Sequence, residues 1–371
     1  ISAIIWSFID PRNVINIITS ILIVACPCAL ALANPFTYGN TIRFFGRAKF
    51  YFKNTAGIEE MNVITDIVFD KTGTITTNEE NKITVNGNFS FDELNVIYQV
   101  TKHSNHPLSI QITNFLSKQI SGHQSSEIIF PDFQEILGKG ILASNEQYKV
   151  KIGSSLLIPN AIVVENATIV YIEINNKFLG SFLFENKYRN GIQNELSILS
   201  EQYEIHLLTG DNEKEKENLI QFFPATENLH FNQLPKQKKS YVEDLQAKGK
   251  KVMMIGDGLN DAGALISANL GIVVSDNVYN FSPACDAILN ANRLNQLNSY
   301  FTLAKSSKQT LKLSYWFSIF YNLTGLAFAV SGLLTPLIAA ILMPLSSISI
   351  VILTSLKTNF NAKKILDINH V

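Results

Sequence analysis

From Leu313 to Leu356 the chain carries no charged residue, and Val14 to Ala33 is a second uncharged run. No other feature limits the fold as much. About twenty residues at ~1.5 Å each reach ~30 Å, the thickness of a bilayer's hydrocarbon core. Gly332 and Thr335-Pro336 interrupt the longer run, so it reads as two spans joined by a tight turn. Ile1 to Ile9 reads as the end of another apolar helix, closed by Asp10-Pro11. A buried soluble helix is the alternative for any single run. Composition sides with lipid, since 46% of the residues are hydrophobic and only 16% charged. Arg43, Arg47, Lys49 and Lys53 follow the first run, and Lys357, Lys363 and Lys364 the last. Basic residues just past a span mark the cytoplasmic side.

The net charge of −1 gives no global electrostatic case for nucleic acid. Cys26, Cys28 and Cys285 are too few for a disulfide framework, and Cys285 reads as a buried apolar residue. The sequence opens on Ile1 within apolar residues and without a basic leader, so it reads as a fragment that lacks an N-terminal part.

Between the spans the pattern changes. Ile64 to Phe69, Glu204 to Leu208, Lys251 to Ile255 and Leu270 to Val274 are short apolar runs ending in polar residues, with helical stretches such as Gly191–Leu199 and Gln237–Ala247 between them. Leu229-His230 reads as a further short strand. Such alternation indicates a parallel, doubly wound α/β sheet. Its site lies beyond the carboxyl ends of the strands, where Asp70, Thr209 and Asp257 fall. Helical spacing from Phe91 to Leu116 and strands at Tyr148–Ile152, Thr168–Ile174 and Phe178–Phe184 indicate an α+β insertion.

Asp70 follows a buried-type strand and precedes Lys71-Thr72-Gly73-Thr74. A carboxylate there can act as a nucleophile and take a phosphoryl group from ATP. Asp257 can help hold a Mg²⁺ beside the phosphate, with Asp70 and Thr72 completing the expected Mg²⁺ set. Lys238 can place a fixed positive charge by the phosphoryl oxygens. Thr209 and Gly210 can donate a hydroxyl and a backbone N–H, and Asp211, Asn260 and Asp261 complete the phosphate shell. A phosphatase of this layout has a second acid two residues after the nucleophile. Here that position is Thr72, so the phosphorylated intermediate is expected to persist.

Asp70-Lys71-Thr72-Gly73-Thr74, Thr209-Gly210-Asp211-Asn212 and Gly256-Asp257-Gly258-Leu259-Asn260-Asp261 together resemble the three signature segments of P-type ATPases, on the haloacid-dehalogenase fold. His106-Pro107, Gly138-Lys139-Gly140 and Gly153 resemble the nucleotide domain of the heavy-metal-transporting members. The resemblance implies that this histidine orients ATP and that the glycines let backbone approach it closely. Thr101 stands where that family has a glutamate at the adenine, Ser154 where it has asparagine, and Asn186 where it has aspartate. The implied layout is the end of a transmembrane helix (1–9), a transmembrane helix with Cys-Pro-Cys (11–46), a phosphorylation domain (47–78 and 187–303), a nucleotide-binding domain (79–186), two transmembrane helices (304–357) and a cytoplasmic tail (358–371).

Cys26-Pro27-Cys28 lies inside the first span. Residues two apart point away from each other in a regular helix. Pro27 removes a helix hydrogen bond, and local unwinding can turn both sulfurs into one cavity. Two thiolates favour Cu(I), Ag(I), Zn(II) or Cd(II). Tyr321, Asn322, Met343 and Ser347 are the further candidate ligands, Met343 and Ser347 sharing a helix face with Ser346 nearby. A thioether suits Cu(I), and this set resembles the copper-transporting subgroup. The expected function is therefore ATP-driven Cu(I) or Ag(I) export. The Mg²⁺ and ATP would be used at Asp70, in a bacterial cytoplasmic membrane, with copper delivered by a cytosolic carrier. The missing N-terminal half, with the actuator domain, is the expected partner, and the fragment alone is not expected to complete a cycle. A copper pump for oxidase assembly, a Zn(II)/Cd(II) exporter and a soluble phosphatase with apolar ends remain as alternatives.

Overall fold

A computed structural model describes residues 2–77, 82–120, 127–136, 138–159, 168–185, 187–211, 213, 216–223, 225–258, 261–276 and 285–366. The strands are β1 (Phe50–Phe52), β2 (Asp66–Asp70), β3 (Lys82–Asn86), β4 (Asp132–Ile136), β5 (Gly140–Ser144), β6 (Lys149–Gly153), β7 (Thr168–Ile174), β8 (Lys177–Glu185), β9 (Glu204–Leu208), β10 (Leu229–His230), β11 (Val252–Gly256), β12 (Leu270–Ser275) and β13 (Ala287–Asn290). The helices are α1 (Ser2–Ile9), α2 (Val14–Val24), α3 (Cys28–Arg47), α4 (Ala56–Met61), α5 (Phe91–Thr101), α6 (Pro107–Ile120), α7 (Ile192–Ser200), α8 (Lys216–Ile220), α9 (Pro235–Ala247), α10 (Ala262–Ser267), α11 (Leu297–Val330) and α12 (Pro336–Leu366). They form two compact units, one of Ile1–Thr74, Asn190–Leu208 and Gln233–Val371, the other of Ile75–Arg189 and Thr209–Asn232.

The first unit joins a sheet to a helical bundle. Its strands lie in the order β1-β13-β12-β11-β2-β9. All neighbours are parallel except β1, which runs antiparallel to β13. All five residues of β2 are buried, as expected for a central parallel strand covered on both faces. Val68 and Met254 pack with Val242 and Leu245 of α9 and with Ala264 and Leu265 of α10. Cys285 joins this core.

Three helical stretches, Val14–Arg47, Ala291–Val330 and Pro336–Leu366, are long and apolar enough to cross a membrane. The first carries the local unwinding expected at Pro27. It is broken at Ala25–Pro27 into α2 and α3, because Pro27 cannot donate to the helix ladder. Polar side chains pin α3, α11 and α12 together at one end. Thr41 and Ser307 hydroxyls lie 2.7 Å apart, Arg43 donates to Asn359 at 2.7 Å, and Asn361 donates to Ser306 at 2.7 Å. α12 runs on to Leu366, into the segment read as a cytoplasmic tail. Ala and Lys favour helix, and burial of Ala362 and Leu366 carries the helix through the less favourable Asn359 and Asn361.

The second unit is an antiparallel sheet, β3-β8-β7-β6-β5-β4, with α5 and α6 against one face. Val96, Val100, Ile112 and Leu116 of the helices meet Ile141, Ile152, Ile172 and Phe182 of the strands. The helical stretch expected from Phe91 to Leu116 is two helices parted at Lys102–His106. Ser90 starts the first with a full capping box to Glu93.

Candidate functional site

Asp70 is the last residue of β2 and lies at the carboxyl end of the parallel sheet. The chain then leaves the strand through Thr72 in extended backbone and Gly73 at φ +74°, a left-handed turn that favours glycine. Lys238, one turn into α9, reaches back over the strand ends. Its Nζ donates to Asp70 Oδ1 at 2.5 Å and to Asp261 Oδ1 at 2.7 Å. All three groups are buried. Burial and the Asp261 charge push the Asp70 carboxyl up to about 7, although Lys238 pulls the other way. Burial lowers Lys238, but the two carboxylates outweigh it and raise it overall.

Asp257, just past β11, brings a carboxylate oxygen within 4.8 Å of those of Asp70 and Asp261. The Asp261 Oδ2 is buried without a hydrogen-bond partner. An oxygen-only donor set with an orphaned carboxylate oxygen fits a hard divalent cation such as Mg²⁺. Gly256 faces this cluster, since a Cβ there would meet Asp261 Oδ2 at 2.8 Å. The sequence-predicted Asp70, Lys238, Asp257 and Asp261 therefore converge, and Thr72 is exposed beside them in sequence. Leu208 is the ladder partner of Asp70, and Thr209 follows it in the chain. Thr209, Gly210 and Asp211 belong to the second unit, where Thr209 Oγ1 accepts from the Asp211 N–H at 3.1 Å. Asn260 and Asn212 lie outside the described residues.

The second unit holds a cavity of about 450 Å³, lined by Ser104, His106, Glu135, Gly138, Ile141 and Gly153 among others. His106 precedes α6, and Pro107 is its first residue, a position that tolerates a missing N–H. The His106 Nδ1 accepts from the Leu108 N–H at 3.3 Å, which leaves Nε2–H as the group that can donate. The glycines divide into two kinds. Gly140 and Gly153 face each other across β5 and β6, and a Cβ on Gly153 would sit 2.2 Å from the Lys139 carbonyl oxygen. Their lack of side chains lets the two strands close on each other. Gly138 has φ +73° and open space around it. Thr101 is fully buried, donates to the Ile97 carbonyl at 3.0 Å and accepts from Thr113 at 2.9 Å, so its hydroxyl is turned away from the cavity. Ser154 donates through N and Oγ to the Lys139 carbonyl. Asn186 lies outside the described residues.

In the bundle, Cys26 and Cys28 are joined to each other as a disulfide. The expectation of two unpaired thiols is corrected in this respect. The break at Pro27 brings the two sulfurs together, where a regular helix would part them. A metal-binding pair requires the reduced form. Tyr321 and Met343 line an apolar groove with Val24 and Phe317. The Tyr321 hydroxyl donates to the Leu342 carbonyl at 2.9 Å, and the Ser347 hydroxyl to the Met343 carbonyl at 3.4 Å. The Asn322 Oδ1 and Ser346 Oγ are buried without partners.

Sequence reasoning missed a second titratable cluster at the opposite end of the sheet. Asp66, His206 and Glu204 approach one another there. The His206 Nε2 lies 3.2 Å from Asp66 Oδ1, and its Nδ1 lies 3.0 Å from the Tyr241 hydroxyl. A polar residue at alternate positions of otherwise apolar strands was the available signal.

The family description haloacid dehalogenase-like hydrolase matches residues 66–269, more than half of the chain. The chain is 28% identical over 354 residues to the copper-transporting ATPase PAA1, chloroplastic, of Arabidopsis thaliana, covering 88% of this chain and 37% of that protein. It is 29% identical over 348 residues to a probable cation-transporting ATPase of Haemophilus influenzae, covering 89% and 47%. It therefore spans less than half the length of these relatives. A crystal structure of a zinc-transporting PIB-type ATPase in the E2.Pi state superposes with a TM-score of 0.74 at 22% identity, over 92% of this chain and 56% of that one. The likeness to this structure is one of fold.

Proposed function

We propose a function on one premise: the chain belongs to the haloacid dehalogenase-like hydrolase family. The chain is the catalytic and part of the ion-path portion of an ATP-driven heavy-metal pump. The observation that carries this reading is Asp70, at the end of a central parallel strand with Lys238 bonded to it and to Asp261.

In the first step an Asp70 oxygen attacks the γ-phosphorus of ATP. The new Asp O–P bond forms as the bond from that phosphorus to the β,γ-bridging oxygen breaks, and ADP leaves. Lys238 holds the carboxylate in place and offsets the charge of the phosphoryl oxygens. Asp70, Asp257 and Asp261 would hold Mg²⁺, which supplies further neutralisation of phosphate charge. Water later cleaves the O–P bond and frees Asp70. Thr72 supplies no acid for that cleavage, so the intermediate lasts long enough to be coupled to movement of an ion. Thr209, Gly210, Asp211 and Asn260 complete the phosphate shell in this reading. The cavity lined by His106, Gly138, Gly140 and Gly153 takes the nucleotide, with Pro107 next to His106 in the chain.

The cargo is a soft or borderline heavy-metal ion, held by reduced Cys26 and Cys28 with Tyr321, Asn322, Met343 and Ser347. Cu(I) is the finer reading, supported by the Met343 thioether and by the copper-named plant relative. Zn(II) or Cd(II) is the second reading, favoured by the zinc-named structural neighbour. The basic residues past the spans support catalytic units on the cytoplasmic side.

Labelled ATP tests the reading. The expected product is an acid-stable, hydroxylamine-sensitive phosphoprotein that Asp70→Asn does not form. Stimulation of the parent protein by Cu(I), Ag(I), Zn(II) and Cd(II), compared side by side, decides the cargo. No labelled intermediate, or one that persists in Asp70→Asn, overturns the mechanism.

A further inference from the structure

We propose that Glu135 is the base-reading residue of the second unit's cavity, accepting a hydrogen bond from the amino group of the nucleotide's base. This rests on the nucleotide reading of that cavity. The ladder sets Glu135 opposite Ile141, Ile141 opposite Ile152, and Ile152 opposite Ile172. Side chains opposite one another share a face of the sheet. Ile141, Ile152 and Ile172 are buried in the core with α5 and α6, so this is the helix-covered face. Glu135 stands at the end of the row, on the edge strand β4.

Ile141 and Ile152 of this row line the cavity, so it has an apolar floor that ends in one carboxylate, with Ile172 buried beyond it. A flat purine ring suits such a floor, and its edge then meets Glu135. Among the described residues lining the cavity, Glu135 is the sole acid, and no hydrogen bond or ion pair engages it. Two of the hydroxyls nearby are engaged, since Ser154 donates to the Lys139 carbonyl and Ser104 accepts from the His106 N–H, and the third, Ser109, carries no charge to hold a base's amino group. Lys139 and His106 remain as donors, which suit phosphate oxygens. An ionised carboxylate only accepts, so it repels phosphate and fits a donor on the base. The amino group of adenine is such a donor.

Competition against a fluorescent ATP analogue, on the full chain in detergent, tests this. The two competitors are ATP and purine riboside triphosphate, which is ATP without its amino group. The unaltered chain is expected to hold ATP about fivefold tighter, as for a partly exposed hydrogen bond to a charged group. Glu135→Ala is expected to remove that preference by lowering ATP affinity to the level of the amino-free analogue. Glu135→Gln keeps a side-chain carbonyl acceptor and retains part of it. A preference that survives Glu135→Ala, or is absent from the unaltered chain, overturns the inference while the nucleotide reading stands. If neither competitor displaces the fluorescent analogue, the nucleotide reading falls and the inference with it.

Discussion

The Lys238 ammonium sits 2.5 Å from Asp70 Oδ1 and bonds Asp261 with its other side, so one cation holds two buried carboxylates. Removing the cation and removing one carboxylate therefore have opposite effects on stability. Lys238→Met leaves Asp70 and Asp261 facing each other and is expected to cost about 3 kcal/mol, the scale of an unpaired buried charge. Asp70→Asn relieves that repulsion and is expected to leave the unfolding temperature unchanged or higher. Both variants are expected to lose the phosphorylated intermediate. Thermal unfolding together with labelling by ATP checks the pair. Equal stability of the two variants would mean that Lys238 does not hold this cluster together.

The two kinds of glycine in the second unit predict two sizes of effect. Gly153→Ala drives a Cβ into the Lys139 carbonyl, and backbone cannot move aside as a flexible side chain would. It is expected to part β5 from β6 and to lose nucleotide binding. Gly138→Ala meets no neighbouring atom and costs only the left-handed backbone, about 1 kcal/mol. Limited proteolysis and nucleotide titration of both variants separate steric need at the strands from conformational need at the turn.

His206 gives the first unit a pH dependence. Burial lowers its pKa below the ordinary 6.5, against the pull of Asp66 and Glu204 and with a smaller lowering from Lys250. The neutral ring satisfies both neighbours, donating from Nε2 to Asp66 and accepting at Nδ1 from Tyr241. As pH falls below about 6.5 the unfolded chain takes up a proton that the folded one refuses. Stability is therefore complete above that pH and declines as pH drops toward the lower folded value. His206→Gln is expected to flatten the decline. Denaturant unfolding at pH 7.5 and 5.5, with and without the substitution, measures the difference.

The sheet and the site at its strand ends were legible because buried parallel strands read as apolar runs, and β11 and β12 do so throughout while β2 and β9 do so apart from Asp66, Glu204 and His206. The carboxylates after β2 and β11 then stand out. Lys238 was placed from chemistry alone, and its reach to both Asp70 and Asp261 needed the turn of α9. The strands β1, β3, β4, β5 and β13 were missed because they are short, and β1, β3 and β4 also lie at sheet edges. The break between α5 and α6 falls in Lys102–His106, where a polar loop interrupts a helical period that resumes almost in phase. The roles of Gly140 and Gly153 were hidden because a sequence does not say which backbone a glycine must admit. Glu135 carries no motif, and only its cross-strand register reveals the face it shares.

Cys26 and Cys28 make metal binding conditional on reduction. Their bond to each other occupies both sulfurs, and thiolates are the ligands that a soft ion requires. The oxidised chain is expected to bind no Cu(I), Zn(II) or Cd(II) at this position, and the reduced chain to bind one of them. Cys26→Ser is expected to abolish binding by the reduced chain while leaving displacement of the fluorescent nucleotide intact, because the nucleotide cavity belongs to the other unit. Met343→Leu separates the two metal readings. It removes a thioether at nearly constant volume, so it is expected to weaken Cu(I) and spare Zn(II). Competition with a chelator of known affinity, run with each ion on reduced protein, reads all four outcomes. Binding that is unaffected by oxidation or by Cys26→Ser would remove this pair from the ion path.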